Sequence, residues 1–235
     1  MNGTLYGVGI GPGDPELITR KAARLIGAAP VVAYPALVGA DSLARAIASE
    51  LIPDDAEEIV IEVPMTPARE PAQAAYDAAA ARIAAALESG RDVACLCEGD
   101  PLFYGSFAFL RARLKDRYRV EVVPGVTSLS ACAALAGLPL AVRNGRVTVL
   151  PGPLPESELA GAVAEAGAGT VAIPKVGRHL SKLRETIEGL GLTARAVYVE
   201  RAGLRGERVR PLAAAPDVAP YFSMILIAIG EDPWL

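Results

Sequence analysis

Gly7-Val8-Gly9-Ile10-Gly11-Pro12-Gly13-Asp14-Pro15 follows an apolar start at Leu5 and leads into a stretch of helical character that reaches Gly27. Glycine at every second position lets the backbone turn tightly and approach a ligand, and a helix opening here presents unpaired N–H groups to an anion. Strand, glycine loop and helix form the first half of an α/β unit. The chain repeats the alternation: Val31 to Tyr34 before a helical stretch from Ser42 to Leu51, Asp92 to Cys97 before one from Tyr104 to Lys115, and Val120 to Val123 before one from Ser128 to Ala136. The pattern predicts α/β architecture with a largely parallel sheet.

Outward from these units, the Ala-rich stretch from Pro71 to Glu88 carries Tyr76, Ile83 and Leu87 at helical spacing, with Gly90 placed as its C-cap. In the second half, strands near Val147–Leu150 and Thr170–Ile173 alternate with helices from Glu156 to Ala166 and from Arg178 to Gly189. Ala196–Glu200, Arg208–Pro211 and Ser223–Gly230 then follow one another without a helical pattern between them, which predicts antiparallel pairing and a mixed sheet. The charged connector Asp116-Arg117-Tyr118-Arg119 is the expected boundary, giving domains 1–117 and 118–235.

Of the 235 residues 52% are hydrophobic and 21% charged, ample for buried cores. A formal net charge of −4 supplies no global field to draw the protein onto nucleic acid or an anionic membrane, so an anionic ligand must be met locally. The apolar stretches are broken by charge, Pro or Gly well short of the ~18 residues that suggest a membrane span. Met1-Asn2-Gly3-Thr4 enters a strand directly, without the pattern of a signal peptide, and a cytoplasmic protein is expected. With three cysteines and one histidine a metal site has little to draw on, and buried thiols are the plain reading of Cys95, Cys97 and Cys132.

The first glycine loop invites comparison with a dinucleotide fingerprint. Its spacing is Gly-x-Gly-x-Gly, however, and the second strand ends in Tyr34-Pro35 where a ribose-binding acid belongs, which argues against a nicotinamide-dependent oxidoreductase. Asp14 reads either as the cap of the following helix or as an active-site acid. A second loop, Cys97-Glu98-Gly99-Asp100-Pro101-Leu102-Phe103-Tyr104-Gly105, leaves the C-terminal end of an apolar strand, where open α/β sheets bind ligands. Gly99-Asp100-Pro101 suits a turn, but turn chemistry leaves Glu98 unexplained, and the two acids equally fit proton transfer or the gripping of a cofactor. A third loop, Pro124-Gly125-Val126-Thr127-Ser128, again joins strand to helix, and its hydroxyls either cap that helix or face a ligand.

Taken in order, the three loops resemble the signatures of the tetrapyrrole methylase family: a Gly-Pro-Gly-Asp loop, a Gly-Asp-Pro-x-x-Tyr-Gly loop and Pro-Gly-x-Thr-Ser. The resemblance extends through Leu135 to Leu140, Val199-Glu200-Arg201-Ala202-Gly203 and Tyr221 to Ile225. It implies two α/β domains with S-adenosyl-L-methionine bound in a cleft between them, and a homodimer. Gly99, Asp100, Phe103, Tyr104, Thr127, Ser128, Lys175 and Ala202 would line the cofactor site, Lys175 through its backbone, with Pro12 at the junction of cofactor and tetrapyrrole.

Ala33-Tyr34-Pro35 and Val63-Pro64-Met65-Thr66 resemble the branch that methylates C-20 of precorrin-2, or of its cobalt-bearing counterpart, and not the uroporphyrinogen-III branch, which carries Tyr-Asp in place of Tyr34-Pro35. On that reading Asp14, Tyr34 and Glu98 are the candidates for removing the C-20 proton, and no metal takes part. Arg20, Lys21, Arg143, Arg146, Arg178 and Arg201, near the loops in sequence, are the candidates for meeting the substrate's carboxylates. A non-catalytic tetrapyrrole carrier is the remaining alternative.

Overall fold

In the computed structural model, residues 1–64 and 69–230 are described. Two compact units divide after Thr127. Among the described residues no helix is long and apolar enough to cross a membrane.

The first unit is built on strands β1 (Thr4–Gly9), β2 (Val31–Leu37), β3 (Glu57–Val63), β4 (Val93–Cys97) and β5 (Arg119–Val123), in the order β3-β2-β4-β1-β5. Every pairing is parallel. Alternation along the strands feeds two cores, as it must when both faces of a parallel sheet are covered. Val8, Ile10, Val32, Ala94 and Leu96 pack with α1 (Arg20–Gly27) and α2 (Leu43–Ile47). Leu5, Ala33, Ile59, Ile61, Cys95 and Cys97 pack on the other face with α3 (Arg69–Glu88) and α4 (Phe107–Leu114).

Local signals start and stop these helices. The Thr19 hydroxyl accepts the N–H of Ala22, and Ser42 accepts that of Arg45 while donating to the Pro35 carbonyl 2.6 Å away. Gly90, at φ +82°, turns the chain out of α3 with its N–H on the Leu87 carbonyl. The connections decide where a ligand fits. The chain leaves β1 through α1 on one face, and leaves the adjacent β4 through α4 on the other, so β1 and β4 flank the point where the winding reverses.

The second unit begins with α5 (Ser128–Ala136) and contains β6 (Arg146–Val149), α6 (Glu156–Glu165), β7 (Gly169–Pro174), α7 (Leu180–Gly189), β8 (Ala196–Glu200), β9 (Arg208–Pro211) and β10 (Ser223–Ile229). The sheet order is β6-β7-β10-β8-β9, with β6 and β7 parallel and the remaining pairs antiparallel. Helices α6 and α7 cover one face over Ile173, Tyr198 and Ile225, and α5 covers the other over Ala172, Val199 and Leu226.

The mixed sheet agrees with expectation; several details do not, among them the helix expected from Ser42 to Leu51, which spans only Leu43–Ile47. The boundary lies ten residues later than residue 117, because β5 pairs with β1 from Thr4↔Arg119 onward and so completes the first sheet. Strand β3 carries no clear signal in the sequence, its alternation of Ile59, Ile61 and Val63 diluted by Glu57, Glu58 and Glu62 on an edge strand half open to water. The helix expected from Pro15 is a 3₁₀ turn, Pro15–Leu17, separated from α1 by Ile18 and Thr19. Met65 and Thr66 of the Pro-Met-Thr segment lie outside the described residues. All three cysteines are buried and free; burial pushes the Cys132 thiol up to about 12 and that of Cys95 further.

Close packing at β1 makes a stability test. A Cβ on Gly7 would run into the fully buried ring of Phe107, whereas one on Gly161, on the exposed side of α6, meets nothing within 4 Å. Gly7→Ala is expected to lower stability by about 1–3 kcal/mol, the usual range for overpacking. Gly161→Ala is expected to raise it by about 0.5–1 kcal/mol through helix propensity. Urea denaturation of the two variants beside the parent reads both signs.

Candidate functional site

Because β4, β1 and β5 are neighbours running the same way, the loops after them emerge at one edge of the first sheet. There the backbones come closer than side chains allow. Gly11 and Gly99 form a two-bond bridge, with the Gly99 N–H 2.7 Å from the Gly11 carbonyl and the Gly11 N–H 3.3 Å from that of Gly99. A Cβ on Gly9 would lie 2.5 Å from the Gly125 nitrogen and 2.7 Å from the Gly99 oxygen, and one on Gly125 would strike that same oxygen.

Asp100 fastens the arrangement. Its Oδ1 accepts the N–H groups of Leu102 and Phe103 at 2.9 and 3.1 Å, and its Oδ2 accepts that of Gly125 at 3.1 Å. The Gly-Asp-Pro turn is therefore present, and the same carboxylate also ties the second loop to the third. After the turn, Phe103 and Tyr104 meet edge to face, and Tyr104, half-exposed, holds a left-handed φ of +58°. That conformation is rare for a residue with a side chain and concentrates at functional sites.

The other first-unit candidates separate by what already occupies them. Pro12 is buried in its loop, and Asp14 caps the 3₁₀ turn by accepting the Glu16 N–H at 2.9 Å. Tyr34 is buried on β2 and donates its hydroxyl to Glu58 Oε2 at 2.6 Å, while Arg45 grips both oxygens of Glu58 at 2.7 and 2.9 Å. Burial, then the neighbouring Glu58, holds the Tyr34 phenol above its ordinary value. A phenol that keeps its proton and spends it on a carboxylate is poorly placed to accept another, so Tyr34 is better read as a support joining β2, β3 and α2.

Glu98 differs. It stands where β4 ends, burial holds its carboxyl above the usual range, and its own backbone N–H and that of Ala44 at the start of α2 offset the effect only in part. Thr127 is half-buried at the end of the third loop.

In the second unit β6, β7 and β8 run in the same sense, so Val149, Pro174 and Glu200 reach a common edge of the sheet. The residues that follow β7 and β8, Lys175 and Arg201, have φ of +60° and +55°. With Tyr104 and Arg143 they are the four non-glycine residues at positive φ among the described residues. Ala202 is buried next to Arg201, and Ser128 is the exposed first residue of α5.

Lys182, which sequence reasoning missed, sends its ammonium to the carbonyl of Gly152, at 2.7 Å, and to that of Leu154. The Gly152 N–H binds the Pro174 carbonyl at 2.9 Å, so the loop after β6 is held against the turn at Lys175. Nothing local in the sequence signals this bond, since its partners lie about thirty residues apart. Among the described residues no group of three or more His, Cys, Asp or Glu side chains is arranged to hold a metal ion.

A precorrin-2 C(20)-methyltransferase from Sinorhizobium sp is 43% identical over 239 residues, covering 98% of this chain and 97% of that protein. A cobalt-precorrin-2 C(20)-methyltransferase from Salmonella typhimurium is 33% identical over 231 residues, covering 97% of each. Among solved structures, a uroporphyrin-III C-methyltransferase from Thermus thermophilus complexed with S-adenosylhomocysteine aligns with a TM-score of 0.68 and 27% identity, over 96% of this chain and 92% of that one. The model of the tetrapyrrole (corrin/porphyrin) methylases matches residues 4–215, so the strand-end loops lie inside the match and the chain belongs to that family.

Proposed function

We propose that the chain transfers a methyl group from S-adenosyl-L-methionine to C-20 of precorrin-2, giving precorrin-3A in cobalamin biosynthesis. The observation that carries this reading is the 43% identity spanning nearly all of both chains with the Sinorhizobium enzyme. The Salmonella relative, named for the cobalt-bearing substrate, matches over a similar span at 33%, and this makes the metal-free tetrapyrrole the first choice and the cobalt form the second. Family membership also favours a homodimer, which sedimentation tests, and the sequence favours a cytoplasmic one.

Chemically the step is a displacement. The electron-rich meso carbon of the reduced tetrapyrrole attacks the methyl carbon, the sulfur–methyl bond breaks, S-adenosylhomocysteine departs, and the C-20 proton passes to a base. The donor is already activated, so the protein's part is to orient and to exclude water, and orientation alone is worth ~7–11 kcal/mol.

Gly99, Asp100, Phe103, Tyr104, Thr127, Ser128, Lys175 and Ala202 are assigned to the donor, and Pro12 to its border with the tetrapyrrole. Asp100 acts by keeping the second and third loops in register, since its oxygens are engaged by backbone N–H groups. Of the base candidates Glu98 is preferred. Asp14 is occupied as a cap and Tyr34 as a donor, whereas a half-buried carboxylate with a raised pKa is a stronger proton acceptor than one in water.

Incubation with precorrin-2 and methyl-labelled S-adenosylmethionine is expected to yield a product whose label resides on C-20 by NMR; label on another carbon, or none, overturns the assignment. NAD(P)H binding without any response to S-adenosylhomocysteine in calorimetry would restore the oxidoreductase reading. Tight tetrapyrrole binding with no transfer would mark a carrier.

Asp100→Ala should weaken S-adenosylhomocysteine binding about tenfold or more, the scale for losing hydrogen bonds to a charged group, while the circular-dichroism spectrum stays that of the parent. Parental affinity would place the donor elsewhere.

Glu98 yields a test with opposite signs. The unfolded carboxyl titrates near 4.5 and the folded one higher, so the folded chain holds this proton more tightly. Its contribution to stability is complete below the unfolded value and is lost as pH rises through the folded one. Glu98→Gln, neutral throughout, should match the parent in acid and become the more stable of the two towards neutral pH, while kcat falls by about 10²-fold or more. Unchanged kcat removes Glu98 as the base.

A further inference from the structure

A cavity of about 470 Å³ in the second unit is lined by the β8–β9 hairpin and the segment 216–220. Its charge is lopsided. Arg201, Arg208 and Arg210 all line it, against one carboxylate, Glu200. Strand pairing explains the clustering: β9 sets Arg208 opposite Glu200 and Arg210 opposite Tyr198, so the two arginines occupy alternate positions and share one face of the sheet.

Glu200 is committed elsewhere. It is 8% exposed and accepts the hydroxyl of fully buried Tyr198 at 2.9 Å; that hydroxyl also lies 3.1 Å from Ser223 Oγ, which donates to the Pro220 carbonyl. Arg208 approaches Glu200 only to 3.9 Å, whereas Arg45, Arg91, Arg113 and Arg119 hold carboxylates at 2.5–2.7 Å. Among the described residues Arg201 and Arg210 have no carboxylate partner. Beside this positive cluster the wall is apolar, including Pro220 and Val218, a valine left 83% exposed. Guanidinium groups next to exposed aliphatic surface match an oxyanion carried on an apolar frame.

We propose that this cavity binds the carboxylate or phosphate group of an amphipathic ligand, with the oxyanion among Arg201, Arg208 and Arg210 and the apolar body against Val218 and Pro220. The ligand is either an acidic side chain of the tetrapyrrole or a separate anionic metabolite. The first source rests on the methyl-transfer reading; the site itself does not.

The probe is benzene-1,3,5-tricarboxylate, flat and apolar with oxyanions at its rim, titrated into the full chain by calorimetry beside inorganic phosphate. The parent should bind the tricarboxylate more tightly than phosphate. Arg208→Gln/Arg210→Gln and, separately, Arg201→Gln should each weaken it about tenfold or more, the scale expected for charge-assisted bonds. Arg91→Gln, a surface arginine of the first unit, should leave it unchanged, and parental thermal unfolding shows that the variants fold.

No binding by the parent, or equal binding by the cavity variants and the parent, overturns the proposal. Inhibition of methyl transfer that rising tetrapyrrole relieves identifies the substrate's own carboxylates as the ligand; inhibition or activation that tetrapyrrole does not relieve identifies a separate anion. A parent that binds the probe and methylates nothing keeps the site and removes the methyl-transfer reading.

Discussion

Three peptide backbones meeting without side chains between them are the constraint on which the first unit's site depends. Gly9 at the end of β1, Gly99 after β4 and Gly125 after β5 approach so closely that a Cβ on Gly9 or Gly125 would collide with a neighbour's backbone. The parallel sheet brings three strand ends to one edge, but it does not set the spacing of their loops. The glycines permit the approach, the Gly11–Gly99 bridge fixes its register, and Asp100 closes it by reaching from the second loop to the Gly125 N–H. A side-chain carboxylate with three backbone donors is shape held by charge-assisted bonds, stronger than neutral ones and intolerant of a shorter residue.

The second unit reaches a comparable edge by other means. There strain replaces absent side chains: Lys175 and Arg201 turn left-handed where β7 and β8 end, each at a cost of order 1–3 kcal/mol that the surrounding structure must offset. The offsets are visible. Arg201 donates its backbone N–H to the Phe222 carbonyl at 2.7 Å, and the chain at Lys175 is backed by the Gly152 loop that Lys182 holds down. Both turns directly follow strands of a packed sheet, and a strained backbone persists where its surroundings hold it in place.

Features written in consecutive residues were legible in the sequence. The glycine loops, the Gly-Asp-Pro turn and the Gly90 cap announce themselves within a few positions, the mixed second sheet follows from three successive strands without helices between them, and the structure has them all. What pairing decides was not legible. Val120 to Val123 read as part of a second domain because the charged connector Asp116 to Arg119 precedes them, yet with Arg119 they form β5, whose hydrogen bonds go back to β1, 115 positions earlier in the chain at Thr4↔Arg119. Tyr34 is a case within a single residue: the family resemblance makes it a candidate base, and only Glu58, on the strand beside it, shows where its proton goes.

The same division separates the two sets of cationic candidates. Proximity to the loops in sequence singled out six residues, of which Arg201 alone lines the cavity of the second unit. Arg208 and Arg210 carry no local signal, being alternate residues of a short, mostly exposed strand, where charged side chains ordinarily serve to keep an edge from pairing. That ordinary role needs no particular placement relative to Glu200 and Tyr198. Their register against a buried Tyr–Glu–Ser network, beside a valine left open to solvent, is not required of an edge guard, and it is what a site for an acidic ligand does require in a chain whose net charge is negative.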